Sequence, residues 1–312
     1  MGAALAQAQG SRARCLVRSR VSGFALALVL VGVVASSADA QTEESRVLRE
    51  AAALESVGDY EGAERALKRV LDGSPTSPGA LFALERVLRA QGRVEEVLPY
   101  ADRFLEAAPA STGPRYLKLR VLVEVDSLEA VRAEGEDWIH RDPAAVEPYR
   151  EVARILGEVL GREAAVEVLE EGMRSAERGY DLALDLGDLF FEDGAFDRAG
   201  RAWAQAVGPD GENGPAVLRR VSRLEGERAA VLQPMLASLG GAQEPPGRLR
   251  VATQLALEGG LGDETIRLAA EASAGLDPAG RRAFLTELAR RAEERRIDPV
   301  TLFALQALRA NA

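Results

Sequence analysis

Apolar residues recur along this chain at steps of three and four, without alternation, which is the spacing of one buried face of an α-helix. Between residues 183 and 206, Ala183, Leu186, Gly187 and Phe190 mark one such face, and Ala199, Ala202, Trp203 and Ala206 mark another. Gly194 separates the two runs as a turn. The pattern predicts two helices folded into a hairpin. The small residues Gly187 and Ala199 let the helices approach, and Phe190, Phe196 and Trp203 fill the space around the contact.

The hairpin repeats. "GAFDRA" from Gly194 echoes "GDYEGA" from Gly58, 136 residues earlier, which is four periods of 34. With Glu44 as position 1, position 11 reads Leu54, Leu88, Leu122, Leu156 and Phe190. Position 20 reads Ala63, Val97, Val131, Ala165 and Ala199, and position 28 reads Leu71, Leu105, Ile139, Met173 and Val207. All three ladders are apolar. Position 32 carries Pro75, Pro109 and Pro143 in the first three units, where proline stops one helix before the next begins. Five consecutive units without insertion, from Glu44 to about Asn213, predict a stack in which each hairpin buries its apolar face on its neighbours.

At these residues the chain resembles the tetratricopeptide repeat family, whose 34-residue unit has a Leu-Gly pair, an aromatic, a Gly-x-aromatic turn, an alanine and a closing proline. In unit five "LGDLF", "GAFDRA" and "AWAQA" match nearly every marker, with the proline early, at Pro209. Unit one matches through "GDYEGA" and Pro75, and unit two through Gly92 and Pro109. Unit three has Asp126 for the turn glycine and Lys118 and Leu119 for Leu-Gly; unit four has its glycine one residue late, at Gly161, and no closing proline. The resemblance covers about 170 of the 312 residues. It implies an all-α fold, a right-handed superhelical α-solenoid of stacked helix-turn-helix repeats. It also implies a scaffold that holds protein or peptide partners in a concave groove lined by the first helix of each unit.

Position 9 faces that groove in the family and here reads Ala52, Arg86, Arg120, Arg154 and Asp188. Position 5 reads Leu48, Phe82, Tyr116 and Arg150 in units one to four, so the lysines and asparagines of the family's carboxylate clamp are absent. The resemblance points to Arg86, Arg120 and Arg154 as a track for an acidic segment, and to Phe82 and Tyr116 as further partner-binding residues of the groove. Asp181, Asp185, Asp188 and Glu192, at steps of four, three and four, share one helix face and suit a basic segment. Glu124, Glu151 and Glu158 fall on the same groove face and are alternative partners for the arginines. The first helix of unit five has no basic residue of its own to answer its four carboxylates.

The ends of the chain read differently. Arg12, Arg14, Arg18 and Arg20 precede an apolar run from Val21 to Ala35, and Ala38 to Ala40 has the small-residue spacing of a cleavage site. This predicts a secretory signal peptide at 1–40, with a mature chain that starts at Gln41 and is periplasmic or secreted. The alternative is an uncleaved anchor, but 15 apolar residues are short against the roughly 20 that cross a bilayer, so no stable membrane insertion is expected after cleavage. Residues 41–213 form the five repeats. Residues 214–312 read as divergent helical repeats and capping helices: a degenerate hairpin containing Pro234, then helix pairs at about 249–258 with 263–273 and 278–295 with 299–308. The last helix, "VTLFALQAL", is apolar enough either to fold back on its neighbour or to offer a partner surface.

Composition narrows the chemistry. The leader takes four arginines and one aspartate with it, leaving 35 basic and 48 acidic residues, a net charge of −13 that repels nucleic-acid phosphates. Cys15, the one cysteine, lies in the leader, so no disulfide and no thiolate site is expected in the mature chain. His140 alone gives no zinc set and stands at a predicted helix C-terminus, where a partly cationic ring is favoured. "GGLGDE" at Gly259 lacks the lysine and preceding strand of a phosphate loop. Trp138 and Trp203 fall on core positions. No metal, cofactor or catalytic residue is expected, and binding is the leading function class. The alternative is a helical enzyme or polysaccharide-binding protein of the cell envelope, which needs exposed aromatics in the groove, where only Phe82 and Tyr116 are candidates.

Overall fold

In the computed structural model, which describes residues 43–241 and 243–310, every regular element among the described residues is a helix. The expected leader at 1–40 lies outside the described residues. The chain divides into two compact units, one ending at Pro114 and the other beginning at Arg115.

The first unit contains α1 (43–56), α2 (Tyr60–Gly73), α3 (Pro78–Ala90), a 3-10 turn at Val94–Val97 and α4 (Leu98–Ala107). The helix α5 (Thr112–Glu124) starts at its end and runs into the second unit. There follow α6 (Leu128–Arg141), α7 (Val146–Leu160), α8 (Arg162–Ser175), α9 (Ala183–Glu192) and α10 (Phe196–Gln205). The last six are α11 (Gly214–Ser222), α12 (Arg228–Leu239), α13 (Pro246–Glu258), α14 (Gly262–Ala274), α15 (Pro278–Glu294) and α16 (Asp298–Ala310).

Local chemistry sets the helix starts. Asp59 accepts a hydrogen bond from the Gly62 N–H at 2.9 Å, and Asp277 one from the Gly280 N–H at 2.8 Å, each satisfying an orphan donor of the first turn. Ser77 caps α3 in the same way, with Pro78 at the first helical position. The hairpin turns share a left-handed residue: Gly58 at φ 82°, Gly92 at 71° and Gly194 at 72°. Asp126, which replaces the glycine of unit three, takes the same conformation at φ 55°, a region that aspartate tolerates better than most side chains. The turn geometry is therefore retained where the glycine is lost.

The core follows the ladders. All five residues at position 20 are buried, as are Leu88, Leu122, Leu156 and Phe190 at position 11; Leu54, near the chain's first described turn, is half-buried. Trp138 and Trp203 are buried, as their core positions require. The expected close approach at Gly187 is severe: a Cβ there would lie 2.2 Å from Trp203 Cδ1. Gly172 plays the same part against Leu182 and Tyr149. In the second unit α7 packs on α8 and α9 on α10 as antiparallel hairpins, and the same holds for α13 with α14 and α15 with α16. The all-α architecture of stacked helical hairpins is thus the one expected.

The stack changes after unit five. The two helices of the degenerate hairpin barely touch each other; α12 packs along α10 and α11 against α13. The cause is local. Gly200 on α10 brings a would-be Cβ to 2.3 Å from the Val231 carbonyl and 3.0 Å from Pro234, so α12 is drawn onto α10 backbone to backbone. The final helix folds back on α15 and α14 through Val300 and Ala304 and leaves Leu302 and Leu305 exposed. No helix among the described residues is long and apolar enough to cross a membrane.

Candidate binding cleft

The groove residues expected from the sequence fall in both units. In the first, Phe82 is at the edge of exposure, and Arg86 makes a two-pronged bond to Glu55, with both contacts at 2.6 Å. Hydrogen bonding to Arg86 holds the Glu55 carboxyl below the usual carboxylate range against the opposing pull of burial. In the second unit two guanidinium groups approach the Tyr116 ring, Arg120 at 5.9 Å and Arg154 at 5.1 Å from its centroid. Arg154 also reaches Glu151 at 3.1 Å and Glu158 at 2.9 Å. Burial lowers the Arg154 guanidinium, and its hydrogen bond to Glu151 and the neighbouring Tyr116 outweigh that and raise it.

The four carboxylates of α9 and the turn before it are not left facing one another. Asp181 accepts from Asn213 Nδ2 at 2.7 Å and pairs with Arg178 at 3.0 Å. Asp185 pairs with Arg150 at 2.8 Å. Asp188 receives two bonds from Arg220, both at 2.6 Å, and a third from the Trp203 indole N–H at 2.9 Å. Glu192 pairs with Arg162 at 3.2 Å. The absence of a basic residue on the unit-five first helix therefore does not leave the stripe unpartnered, because α7, α8 and α11 each supply an arginine. Most of these partners are about one repeat away: Arg150 and Asp185 differ by 35 residues, Arg220 and Asp188 by 32, Arg86 and Glu55 by 31. The interval was the available signal, since side chains one period apart lie on adjacent first helices.

Arg154, Asp185 and Asp188 come together in a cleft of about 430 Å³ bounded by α7, α8 and α9. Arg150 and Arg162, not among the expected site residues, complete its charged lining. Beneath the charges lie Ala153, Gly157, Ala165, Leu169 and Leu189, the first, third and fourth of them buried. The cleft is an apolar hollow under a fringe of exposed ion pairs. Among the charged residues Asp188 is the most firmly held, by three hydrogen bonds to two partners. Arg154 is held by its own helix neighbours at i−3 and i+4, in exposed pairs typically worth about 0–1 kcal/mol.

His140 is exposed at the end of α6, with Nδ1 2.7 Å from the Glu136 carbonyl. Among the described residues no group of three or more His, Cys, Asp or Glu side chains is placed to hold a metal ion.

No family model and no curated protein matches the chain. Among solved structures it is similar to MamA at 16% identity, over 56% of this chain and 97% of that one, with a TM-score of 0.35. It is similar to TTC0263, a thermophilic TPR protein of Thermus thermophilus, at 20% identity over 61% and 98%, with a TM-score of 0.34. It is also similar to a tetratricopeptide repeat protein of Parabacteroides merdae at 12% identity over 85% and 99%, with a TM-score of 0.36. Identity and superposition are both low, and the repeat architecture stands on the chain's own helices.

Proposed function

We propose that this protein is a non-enzymatic tetratricopeptide-like scaffold that binds a protein or peptide segment of mixed charge, with the cleft between α7, α8 and α9 as one contact site. The observation that carries this reading is the layering of the cleft, an apolar base under ion pairs that are exposed and local. Burying a partner's apolar group is favourable by roughly 25 cal/mol per Å², and exchanging Arg154 from Glu151 to a partner's carboxylate sacrifices little. The firm Asp188–Arg220–Trp203 cluster holds the opposite wall in place while this happens.

The second part of the proposal is location. The basic, apolar and small-residue order of residues 12–40 supports export and cleavage before Gln41, so that the scaffold works outside the cytoplasm in envelope or secretion-related assembly. N-terminal sequencing after cell fractionation is expected to find the chain starting at Gln41 in the extracytoplasmic fraction. A chain starting at Met1 in the cytoplasm refutes it.

Binding is tested with peptides selected on the purified chain from a random display library. Binders are expected to crosslink to a photoreactive residue placed at Glu151 and to lose affinity at least about tenfold on Arg154→Glu, a discrimination of about 1.4 kcal/mol. Selected peptides that crosslink only on helices remote from α7 and α9, and that ignore Arg154→Glu, refute the site.

A further inference from the structure

The cleft owes its shape to one missing side chain. Position 12 of the repeat reads Glu55, Arg89, Val123, Gly157 and Phe191, so unit four alone has nothing there. In unit one that side chain reaches the first helix of the next hairpin, where Glu55 meets Arg86 at position 9. In unit five Phe191 packs instead on the second helix of its own hairpin, against Phe196 and Trp203, with ring centroids at 5.3 and 5.5 Å. The position-9 residue after Gly157 is Asp188, and both line the cleft. A Cβ built on Gly157 would crowd Ala165 Cβ at 3.0 Å and meet nothing else within 4 Å, so α7 lies close on α8 at this point and the hollow opens past that contact, toward Asp188 and Leu189 on α9.

We infer that the Gly157 hollow receives one large apolar side chain, Leu, Met or Phe, from an extended partner segment, and that a basic residue beside this anchor settles on Glu158 and Glu192. The inference rests on the proposed peptide-binding role and names the kind of segment that site takes. Ala153 and Ala165 keep the base shallow-sided, and Leu169 and Leu189 give the anchor apolar walls. The sign of the flanking charge follows from which carboxylates are already committed. Asp185 and Asp188 are bound to Arg150 and to Arg220 with Trp203. Glu158 and Glu192 are each 62% exposed, in surface pairs with Arg154 and Arg162 that an incoming lysine or arginine can replace. The full chain's net charge of −10 favours approach of a basic segment.

The probe is a set of Gly/Ser-flanked peptides whose central residue is Phe, Leu, Ala or Asp and whose next residue is Lys or Glu. They are titrated into the full mature chain carrying labelled Ala, Leu and Val methyl groups. The Phe-Lys and Leu-Lys peptides are expected to shift the Ala153, Ala165, Leu169 and Leu189 methyls, binding at least tenfold tighter than the Ala-Lys or Phe-Glu peptides. Gly157→Leu fills the hollow and is expected to abolish those shifts with the remaining methyl spectrum intact. Should the Ala165 contact make that variant unfold, Leu189→Gln, at a half-buried wall, is expected to weaken Phe-Lys binding at least tenfold instead. Equal binding of the Phe and Ala peptides, or full binding by Leu189→Gln, overturns the anchor. If at the same time library-selected peptides still depend on Arg154, the scaffold reading stands and only the Gly157 assignment falls; if they do not, both fall.

Discussion

Replacing Gly187 by alanine tests the packing on which the repeat reading depends. The new methyl group would stand 2.2 Å from Trp203 Cδ1, 2.5 Å from Nε1 and 3.0 Å from Cγ, whereas ordinary carbon contacts lie at about 3.5–4.0 Å. Trp203 has no free space to retreat into. It is 2% exposed, stacks on Phe191 at 5.5 Å, and donates its indole N–H to Asp188 at 2.9 Å. Overpacking of this kind costs about 1–3 kcal/mol, and pulling the indole off a carboxylate that also holds Arg220 costs about 1.5–3 kcal/mol more. The better helix propensity of alanine returns about 1 kcal/mol, so the net destabilisation is expected at about 1.5–5 kcal/mol. The assay is urea unfolding followed by tryptophan fluorescence in a Trp138→Phe background, where Trp203 is the sole reporter. Gly73→Ala is the control, because a Cβ at Gly73 in α2 meets nothing within 4 Å; it is expected to be neutral or to stabilise by up to about 1 kcal/mol. If Gly187→Ala matches the control, the close crossing of α9 and α10 is wrong.

Arg220→Ala removes the two-pronged bond to Asp188, and is expected to cost about 1–2 kcal/mol and to raise hydrogen exchange in α9 and α11 before the other helices; uniform loosening of the chain contradicts the stacked arrangement. Glu64 is 8% exposed and its carboxyl is lowered: burial pushes it up, but Lys68, Gln91 and Arg93 together outweigh that. A depressed folded-state value means its contribution is complete above the unfolded value near 4.5 and is lost as pH falls below that. The stability gap between the wild-type chain and Glu64→Gln is therefore expected at pH 7 and should close on titration below about 4.5, with a gap that persists at pH 2 as the refuting result. Asp126→Gly restores the residue type that suits φ 55° and is expected to stabilise by up to about 1 kcal/mol in thermal unfolding; a loss of stability shows that the aspartate side chain itself sustains the turn.

The hairpin pattern was legible along the chain because its causes are local. Apolar steps of three and four, an aspartate or serine before Tyr60 and Pro78, and a residue tolerant of positive φ at Gly58, Gly92 and Gly194 each act within a few residues. Their recurrence at 34 then identifies the repeat, and even the departure at Asp126 could be placed by register. The charges behaved otherwise. Four carboxylates on α9 and the turn before it look mutually repulsive along their own segment, and only packing brings Arg150, Arg162 and Arg220 to them from other helices. The opening of the α11–α12 pair likewise turns on how closely Gly200 meets the backbone at Val231, a contact between residues 31 apart. The cleft itself is an absence at Gly157, and a missing side chain becomes a cavity only when neighbouring helices enclose the space it leaves. Periodicity and caps dictate which segments become helices and where they turn, since both are settled by short-range sterics and hydrogen bonds. Which charges are satisfied, and where a hollow remains, depends on interactions across one full repeat, and those distances exist only in the folded chain.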